Sequence, residues 1–512
     1  MNYFYSMYYI SDRNFCKVFV NIHYHYLNKG DDKMDYTMTK IVATLGPATS
    51  SKEMITKLFD AGVTMFRLNS SHGDVEMHKK NLSYIRELEE ARNTLIPVLL
   101  DLQGPKIRIG NLDNPIELKK GEVLKFRHQP EMTDDIIPVD YKGMADDVTP
   151  GEKIMIDDGK IQLEVVKVED KIIYAQVLTD GLLKQRKGIN IPGSQGSLDV
   201  LTARDLKFVE FAAHNDIDYL GLSFVREAAD VTKLREILKN YGREDIKIIS
   251  KIEKPQAVDN IDEIIEVSDG IMVARGDLGI EISTEKVPIV QKTIIRKANV
   301  KRKVVIVATQ MLESMIENPI PTRAETSDVA NAILDGTDAI MLSGETAAGA
   351  YPVEAVKMMK KIADTVEESP FMRKNKFPRR MIEDEKDNQA MAIGMSIADM
   401  CKKMNVKAVM ALTKSGFTAK FLSEGRLSVP IFACCPDKEI CTSIKLYRGV
   451  FPVPMNFDGK IDKKTVKTID KFIKRHMDNV SDGDNLIFTG SVPELLIGGT
   501  NFIKIHKVGS IK

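Results

Sequence analysis

The chain has 512 residues, of which 43% are hydrophobic, so it is long enough for about three domains and can bury large cores. Its 73 lysines and arginines balance its 73 aspartates and glutamates, so no net charge points to nucleic acid or to an anionic membrane surface. No apolar run reaches the roughly 20 residues that a membrane helix requires, and we expect a cytoplasmic protein with no membrane partner.

Residues 1–37 differ in composition from the rest of the chain. They are crowded with Tyr, Phe and Asn, and they lack the apolar segment and cleavage site of a signal peptide. They are either a real aromatic extension or the product of a misassigned start, with translation beginning at Met34 or Met38. We expect the misassigned start, because in a bacterial gene the codons of residues 29–33 could form a ribosome-binding sequence.

The cysteines show neither metal-type nor redox-type spacing, since no CxxC pair occurs. Two of them are neighbours in an apolar run, which favours core packing. The sequence therefore predicts reduced, mostly buried thiols at Cys16, Cys401, Cys434, Cys435 and Cys441.

A strand–helix alternation begins at Lys40 and is the strongest fold signal in the chain. Amphipathic helical stretches separate most of the apolar strand runs. Eight strands joined by helices predict a closed (β/α)₈ TIM barrel, and a doubly wound open sheet is the alternative. The regular spacing and the polar strand ends favour the barrel. The predicted strands are 40–45, 65–68, 97–100, 219–224, 246–252, 270–274, 304–308 and 339–342.

Two further regions lie outside the barrel pattern. Short alternating runs separated by Gly and Asp follow the third strand and predict a small inserted β-barrel domain, which would lie over the active face as a lid. The alternation then returns near the C-terminus and predicts a smaller α/β domain with a mostly parallel sheet. The predicted organisation is an extension at 1–37, the barrel at 38–104 and 202–370, the lid at 105–201, and a C-terminal α/β regulatory domain at 371–512 that begins with a linker at 371–386.

Charged side chains follow two neighbouring barrel strands. Lys251 and Glu253 end the fifth strand, a helix is predicted over 256–267, and Arg275 and Asp277 follow the sixth strand. Because ligands bind beyond the carboxyl ends of parallel strands, these groups are aimed at one place. They predict a divalent cation beside a bound phosphate, and salt bridges at the barrel rim are the alternative.

The other strand ends carry hydroxyl, amide and charged groups that suit a phosphorylated anion. No GxxxxGK[ST] or GxGxxG motif is present, so any nucleotide must be held without a P-loop or a Rossmann fingerprint. These candidate groups are Arg67, Asn69, Ser71, His72, Asp101, Lys106, Arg108, Thr309, Gln310, Ser343, Glu345 and Thr346.

Several long motifs resemble those of one enzyme family, the pyruvate kinases. The resemblance extends over residues 39–512 and rests on KIVATLGPAT, FRLNSSHG, IISKIE, MVARGDLG, ATQMLESM, PTRAETSDVANA and IMLSGETAAG. It implies a glycolytic phosphotransferase that converts phosphoenolpyruvate and ADP to pyruvate and ATP. It also implies a homotetramer and a requirement for Mg²⁺ or Mn²⁺.

The resemblance assigns roles to the strand-end groups. Glu253 and Asp277 would hold the metal, while Arg67 and Lys251 would bind the transferring phosphoryl group. Thr309 would relay a proton through water to the enolate that remains. The other implied ligands are Asn69, Arg275, Gly276, Asp277, Ser343 and Glu345 for the substrate, and Asn69, His72, Arg108 and the lid residue Lys187 for the nucleotide.

One departure from the family pattern concerns K⁺. Many members bind K⁺ at positions that correspond here to Asn69, Ser71, Asp101 and Leu102, with a Glu where this chain has Lys106. A lysine ammonium there would supply the charge of K⁺ and repel the ion. Together with Leu102, Gln103 and Ile109 it resembles the K⁺-independent branch, so we expect activity without K⁺. The alternative is that Lys106 points to solvent and K⁺ still binds.

A loop in the C-terminal domain is the candidate effector site. Thr413, Ser415, Gly416 and Thr418 follow a strand and open a helix, an arrangement that can bind an anion. The loop resembles the place where family members bind the phosphate of a sugar-phosphate activator. Ordinary helix capping is the alternative, and the facing loop at 490–500 carries no specificity signal.

Two other functions compete with this interpretation. A metal-dependent aldolase that acts on pyruvate or phosphoenolpyruvate would use a similar barrel site. A non-catalytic sensor of sugar phosphates would use the C-terminal loop. The lid, Lys187 and the C-terminal domain argue against the first, and the intact Lys251, Glu253, Asp277 and Thr309 argue against the second.

Overall fold

The structure is a computed structural model that describes residues 36–133, 135–192, 198–372, 385–455, 463–491 and 499–511. The expected start at Met34, Cys16 and most of the expected linker at 371–386 lie outside these residues. The chain divides into two compact units. One comprises Thr39–Tyr84 and Pro97–Glu368, and the other comprises Ile85–Ile96 with the chain before Thr39 and from Ser369 onward.

The strands are numbered in chain order. They are β1 Lys40–Leu45, β2 Met65–Asn69, β3 Val98–Asp101, β4 Ile107–Arg108, β5 Ile116–Leu118, β6 Val123–His128, β7 Ile136–Val139, β8 Lys153–Ile156, β9 Ile161–Glu169, β10 Ile172–Val177, β11 Gly181–Leu183, β12 Gly188–Asn190, β13 Tyr219–Leu222, β14 Lys247–Ile252, β15 Gly270–Ala274, β16 Val304–Ala308, β17 Ala339–Leu342, β18 Val406–Leu412, β19 Ile431–Cys435, β20 Val450–Pro454, β21 Asn485–Gly490 and β22 Phe502–Lys507.

The helices are numbered in the same way. They are α1 Lys52–Asp60, α2 Val75–Ala91, α3 Met144–Asp147, α4 Ala203–Ala213, α5 Ala228–Asn240, α6 Pro255–Asp259, α7 Ile261–Val267, α8 Arg275–Glu281, α9 Val287–Val300, α10 Arg323–Asp335, α11 Gly344–Ala347, α12 Pro352–Glu368, α13 Glu385–Lys403, α14 Phe417–Glu424, α15 Lys438–Ile444 and α16 Lys463–His476.

The predicted barrel is confirmed. Eight parallel strands close in the order β1-β17-β16-β15-β14-β13-β3-β2. The open-sheet alternative is wrong because β1 pairs with β17, with Lys40 opposite Ala339 and Ala43 opposite Leu342. All five residues of β16 are buried, as expected for a strand covered on both faces.

The predicted helix over 256–267 is interrupted. Helices α6 and α7 meet at Asn260, whose backbone (φ −92°, ψ 18°) leaves the helical conformation. The Asn260 side chain donates a hydrogen bond to the Arg226 carbonyl oxygen at 3.0 Å. The apolar periodicity continues across the break because Ala257 and Ile264 both face the core. A periodicity search therefore cannot detect it.

The insertion is a β domain with its own hydrophobic core, as predicted. Its main sheet has the order β4-β12-β8-β9-β10-β6-β7, and β5 pairs with β11 in a second sheet. An isolated bridge between Ile109 and Val139 joins the chain after β4 to β7, so the two edges of the main sheet meet. The core includes Phe126, Leu163 and Ile173, all at most 1% exposed.

The C-terminal unit contains the predicted mostly parallel sheet. Its order is β20-β19-β18-β21-β22, and the β21–β22 pair is antiparallel. Helix α16 packs Val466, Ile469 and Phe472 into the core of this sheet. Within the part of the chain that the structure describes, no helix is long and apolar enough to cross a membrane.

The prediction of reduced thiols is wrong for two cysteines. Cys435 and Cys441 form a disulfide with a Cα–Cα distance of 5.9 Å. The turn between β19 and α15 brings them together, and a search for CxxC spacing misses a separation of six residues. Cys401 and Cys434 are free, and burial raises the pKa of the Cys434 thiol to about 12. The predicted burial is confirmed, since Cys434, Cys435 and Cys441 are fully buried.

Candidate active site

Lys251 lies at the centre of a buried polar cluster at the carboxyl ends of the barrel strands. Its Nζ donates a hydrogen bond to Ser223 Oγ at 2.7 Å and lies 3.0 Å from Glu253 Oε1 and 3.3 Å from Asp101 Oδ1. Burial alone would lower the pKa of Lys251, but the negative charges of Asp101 and Glu253 outweigh it and raise the pKa above its ordinary value. Lys251 is therefore a fixed cation at neutral pH.

Arg67 supplies a second buried cation from β2. Its Nε donates to Asp101 Oδ2 at 2.7 Å, its Nη2 lies 2.7 Å from the same oxygen, and its Nη1 donates to Thr44 Oγ1 at 2.9 Å. Burial would raise the pKa of Asp101, but Lys251 and Arg67 together lower it, so the carboxylate is charged. Asp101 thus holds both cations in place from β3.

Glu253 has one satisfied and one unsatisfied oxygen. Its Oε2 accepts a hydrogen bond from the Phe224 amide at 2.8 Å. Its Oε1 is buried and accepts no hydrogen bond, although the Lys251 ammonium is near. Burial raises the pKa of Glu253, Lys251 opposes this, and the negative charge of Asp277 raises it further.

This arrangement fits a hard divalent cation. A metal ion between Glu253 and Asp277 would occupy the unsatisfied Oε1 and relieve the repulsion between the two carboxylates. Among the described residues no group of three or more His, Cys, Asp or Glu could hold a metal. Mg²⁺ accepts such a two-carboxylate site because it keeps water and phosphate oxygens as its other ligands.

Arg275 organises the end of β16. Its Nη2 donates to the carbonyl oxygens of Thr309 at 2.8 Å and Gln310 at 3.0 Å, and its Nη1 donates to Asp328 at 2.7 Å. Thr309 and Gln310 have left-handed backbones, with φ of 69° and 53°. Because these conformations are costly for side chains with a Cβ, the guanidinium contacts hold a strained turn. Arg275 is thus fully engaged by protein groups.

The Thr309 hydroxyl lies between two backbone groups. It accepts a hydrogen bond from the Gly276 amide at 2.7 Å and donates to the Ala308 carbonyl at 2.6 Å. A Cβ at position 276 would lie 3.4 Å from Thr309 Oγ1, so glycine leaves room for a close approach. The amide of Gly276, a predicted substrate ligand, is here bound to Thr309.

Glu345 shapes the end of β17. It is fully buried and accepts hydrogen bonds from the backbone amides of Ser343 at 2.7 Å and Leu312 at 3.1 Å. The Ser343 hydroxyl is buried and has no hydrogen-bond partner. Ser343 therefore has an unused polar group at the site, while the Glu345 carboxylate is used by the backbone.

The loop after β2 carries the other predicted ligands. Asn69 Oδ1 accepts from the Ser71 amide at 3.1 Å, and Asn69 Nδ2 lies 3.5 Å from His72 Nδ1. The Ser70 amide donates to the Asp101 carbonyl at 3.0 Å, which joins this loop to β3. The structure thus brings Asn69, Ser71 and His72 together beside the Arg67–Asp101 pair.

The predicted nucleotide ligands of the lid are engaged within the lid. Lys187 forms an ion pair with Asp157 at 2.8 Å, and Arg108 Nη1 donates to the Arg186 carbonyl at 3.2 Å. In the described part of the chain, neither Lys187 nor Arg108 forms a hydrogen bond or ion pair with His72. To bind a nucleotide, either side chain would have to give up its contact within the lid.

The Lys106 side chain lies against Gly188. Its Cε would lie 2.7 Å from a Cβ at Gly188 of β12, so its side chain runs along that glycine. No ion pair joins Lys106 to Asp101 among the residues described. The Leu102 carbonyl, a K⁺ position in the resemblance, accepts a hydrogen bond from Ser223 Oγ at 2.6 Å.

Sequence reasoning missed Ser223 and Phe224 as parts of the site. The predicted strand ran to residue 224, whereas β13 ends at Leu222. Ser223 and Phe224 are therefore strand-end residues, and one binds Lys251 while the other binds Glu253. A shorter strand prediction would have found both by the same strand-end rule.

The four residues predicted to bind the effector, Thr413, Ser415, Gly416 and Thr418, are neutral, and Lys414 is the charged residue among them in the chain. Gly416 has a φ of 81° and is the N-cap residue of helix α14, so the cap position holds a glycine and not one of the predicted Thr or Ser residues. Thr418 Oγ1 accepts a hydrogen bond from Thr500 Oγ1 at 3.1 Å, and both residues are buried. Residues 492–498 of the facing loop lie outside the described part of the chain.

Comparison with known proteins identifies the family. The profile "Pyruvate kinase, barrel domain" matches residues 36–356, and "Pyruvate kinase, alpha/beta domain" matches residues 391–506.

Similar proteins match over most of the chain. A pyruvate kinase of Sporosarcina psychrophila is 43% identical over 92% of this chain and 81% of that protein. One of Staphylococcus aureus is 44% identical over 92% of this chain and 80% of that protein. A crystal structure of a pyruvate kinase from Cryptosporidium parvum has a TM-score of 0.84 and 36% identity, and the match covers 93% of this chain and 98% of that one. The chain is therefore a phosphotransferase that belongs to the pyruvate kinase family.

Proposed function

We propose that this enzyme transfers the phosphoryl group of phosphoenolpyruvate to ADP and gives pyruvate and ATP. The observation that carries the proposal is the mostly buried Lys251 side chain, which is 12% exposed and whose ammonium lies 3.0 Å from a buried Glu253 oxygen that accepts no hydrogen bond. Taking charges out of water costs several kcal/mol per ion, and this set lies where parallel barrel strands end, which is where ligands bind. The set suits an anionic ligand and a metal ion.

Glu253 and Asp277 would hold Mg²⁺ or Mn²⁺, which supplies charge neutralisation on the phosphate when bound. Lys251 and Arg67 bind the transferring phosphoryl group and stabilise its charge during transfer. Their pairing with Asp101 keeps both cations oriented before the substrate arrives. Preorganisation of this kind lowers the barrier because no reorganisation is needed at the moment of reaction.

The substrate carboxylate would bind the backbone amides at Arg275, Gly276 and Asp277, which open helix α8. For the Gly276 amide this means exchanging Thr309 Oγ1 for the substrate. The released Thr309 hydroxyl would then be free to relay a proton through water to the enolate. Arg275 acts in this scheme by holding the Thr309 turn.

The remaining predicted ligands complete the two sites. Asn69, Ser343 and Glu345 border the substrate, and the Ser343 hydroxyl has an unused hydrogen-bonding capacity. His72, Arg108 and Lys187 would bind the ADP phosphates, with Arg108 and Lys187 brought in when the lid closes. In the proposed domain organisation, the barrel comprises 38–104 and 202–370, the lid comprises 105–201, and the C-terminal domain comprises 371–512.

The test is a coupled assay of pyruvate formation. We expect turnover that requires phosphoenolpyruvate, ADP and a divalent cation together, and that stops when a chelator removes the metal. Pyruvate release without ADP would contradict the proposal and favour an aldolase-type or hydrolytic reaction. Absence of turnover from folded protein would favour the sensor alternative.

We also propose that K⁺ is not required. The proposal rests on Lys106, which stands where the family pattern has a Glu, and it requires the Lys106 ammonium to leave Gly188 and approach Asn69 and Asp101. We expect equal rates with potassium and with tetramethylammonium at constant ionic strength. A Lys106→Glu variant should become dependent on K⁺. A strong K⁺ activation of the unmodified enzyme would overturn the proposal.

A sugar-phosphate effector at Thr413, Ser415, Gly416 and Thr418 is the further part of the proposal. Its support is the place of the loop between β18 and the start of α14, where the helix N-terminus favours an anion. Calorimetric titration with a panel of sugar phosphates tests it. Binding that is lost in Ser415→Ala would support the site, and binding unchanged in that variant would remove it. A homotetramer is expected from the family and is tested by light scattering.

A further inference from the structure

The lid joins the barrel through two chain crossings, and one buried carboxylate binds both. Asp205 Oδ1 accepts hydrogen bonds from the amides of Gln103 at 2.8 Å and Gly104 at 3.2 Å, where the chain enters the lid. Asp205 Oδ2 accepts from the amide of Thr202 at 2.9 Å and from its hydroxyl at 2.5 Å, where the chain returns. Asp205 itself is fully buried.

Helix capping explains only half of this arrangement. Thr202 and Asp205 form a capping box at the start of α4, and this uses Oδ2. The bonds from Oδ1 reach amides about a hundred residues earlier in the chain, which no cap requires. The second half therefore points to a role in fixing the lid crossing.

The entry crossing also touches the catalytic cluster. Gly104 has a φ of +68°, and a Cβ there would lie 2.7 Å from the Phe224 ring and 3.1 Å from Ser223 Cβ. Ser223 and Phe224 bind Lys251 and Glu253. Only glycine suits this crossing, so the start of the lid packs directly against the residues that bind the central lysine and the predicted metal ligand.

The residue before Asp205 reaches the other side of the site. Arg204 donates from Nε and Nη2 to the Ser70 carbonyl at 2.9 and 2.8 Å, and from Nη2 to the Gly73 carbonyl at 2.7 Å. Its guanidinium lies 5.3 Å from the centre of the Phe208 ring. The Ser70–Gly73 segment contains His72, so a single helical turn contacts both the lid crossings and the predicted nucleotide loop.

We propose that Asp205 and Arg204 are positioning residues that place the lid and the Ser70–Gly73 loop relative to one another for binding of the nucleoside diphosphate. The inference rests on the proposed function, which assigns Lys187 of the lid and His72 of the loop to the same ADP phosphates. Neither Asp205 nor Arg204 touches substrate in this scheme. Their effect is to let both sides of the nucleotide site meet the phosphates together.

Amide hydrogen exchange tests whether Asp205 fixes the two chain crossings of the lid, and it needs no activity measurement. Asp205→Asn keeps the size of the side chain but replaces one acceptor oxygen by an NH₂ group, so one crossing loses its acceptor. We expect faster exchange at Gln103 and Gly104 or at Thr202, and no change in the Lys251 strand. Unchanged exchange at all three amides would show that Asp205 does not fix the chain crossings.

A matched control separates positioning from loss of stability. Asp269 also accepts a backbone amide, from Ile248 at 2.9 Å, and an arginine, Arg235, at 2.8 Å. It lies before β15, at the end of the barrel remote from the lid. Asp269→Asn should lower the melting temperature without changing KM for ADP.

Steady-state kinetics give the functional readout. Because a misplacement of about 1 Å costs up to about a hundredfold, we expect Asp205→Asn to raise KM for ADP roughly tenfold. KM for phosphoenolpyruvate should change by less than about twofold, because its ligands lie on the barrel alone. Equal effects on both substrates would contradict the inference.

Arg204 provides a second variant that does not depend on a buried group. Its side chain is exposed, so Arg204→Gln should fold normally and raise KM for ADP several-fold. Arg204→Lys restores the charge but not the three-bond geometry, and it should recover only part of the loss. An unchanged KM for ADP in Arg204→Gln would remove Arg204 from the proposal.

A double-mutant cycle with Lys187→Ala identifies the path of the effect. If Asp205 acts by placing Lys187, Asp205→Asn should add little to the KM for ADP once Lys187 is gone. Effects that multiply would show that Asp205 does not act through the lid. If the unmodified enzyme has no activity with ADP, the proposed function fails. The hydrogen-exchange result would still show whether Asp205 fixes the chain crossings of the lid.

Discussion

The barrel site and the C-terminal loop were both predicted to bind phosphorylated anions, and they satisfy their polar groups differently. In the barrel, Arg67, Asp101 and Glu253 are buried charges, Lys251 is mostly buried beside them, and Glu253 Oε1 accepts no hydrogen bond. At residues 413–418 the buried hydroxyl of Thr418 is paired with Thr500.

This difference tells how strongly each region indicates a ligand. A buried charge without full compensation costs stability, so its presence calls for a function. The loop at 413–418 has hydroxyls and an exposed lysine, Lys414, so it buries no charge and needs no ligand to exist. The barrel site is therefore indicated by the energetic cost of its buried charges. The effector loop is indicated only by its position before a helix.

The largest expected effect is at Lys251. Replacing it with methionine removes the fixed cation and leaves Asp101 and Glu253 without their shared partner. We expect kcat to fall about 10³-fold, since a charge aimed at the transferring group is lost. Unfolding should also become easier by roughly 3 kcal/mol, because two buried carboxylates lose a cation. Coupled kinetics and urea unfolding measure the two effects.

Lys254 is the control for this variant. It lies three residues further along, and its Nζ is 2.7 Å from the buried Glu281 carboxylate. Lys254→Met should lower stability in a similar way and retain most of the activity. Similar losses of activity in both variants would show that the barrel cluster is structural, and the contrast with the C-terminal loop would fail.

A smaller effect is expected at Arg275. Arg275→Lys keeps the charge but cannot reach Thr309, Gln310 and Asp328 at once. The left-handed turn at Thr309 should relax, and we expect kcat to fall about a hundredfold with little change in KM for ADP. A crystal structure of the variant would show whether the turn has moved. An unchanged kcat would mean that Thr309 needs no such support.

The pH dependence of stability should report on His78. Its Nε2 donates to the His72 carbonyl at 2.9 Å, and burial lowers the pKa of His78 below its usual 6.5. As the pH falls below 6.5 the unfolded chain takes up the proton first, so the free energy of unfolding decreases until the lower folded pKa is reached.

A His78→Gln variant tests this assignment. Glutamine keeps a donor for the His72 carbonyl and does not titrate, so its unfolding free energy should vary less between about pH 7.5 and about pH 5.5. Urea unfolding at the two pH values measures the difference. Identical pH dependence in both proteins would mean that another group is responsible.

The smallest effect is expected in the C-terminal loop. Thr418→Val removes one buried hydrogen bond with Thr500 and should lower the unfolding free energy by about 1 kcal/mol. Basal turnover should not change, because no buried charge depends on this hydroxyl. A large loss of basal activity would show that the enzyme needs this loop even without an effector. The proposed difference between the loop and the barrel site would then be wrong.

The sequence was informative wherever a function depends on a strand end. Lys251, Glu253, Arg275 and Asp277 were predicted as one site because alternation shows where a parallel strand stops and because such ends converge. It failed at Ser223 and Phe224 since apolar and small residues carry no sign of where β13 ends.

Contacts between segments far apart in the chain could not be predicted from sequence patterns. The sequence does not show that Asp101 of β3 would hold Lys251 of β14, because β13 lies between them in the barrel and only closure and register set the distance. The same holds for the Cys435–Cys441 disulfide, for the break at Asn260 and for Asp205, whose four hydrogen bonds depend on where two chain crossings meet.

The sequence alone therefore determined the strand–helix order, the inserted β domain, the C-terminal sheet and the family, because these depend on periodicities and motifs within short windows of the chain. Only the tertiary structure decided which charges pair, which carboxylate oxygen remains unsatisfied, and that Arg275 is used to hold a turn. Those outcomes depend on distances between residues far apart in the chain, which are set when the barrel closes.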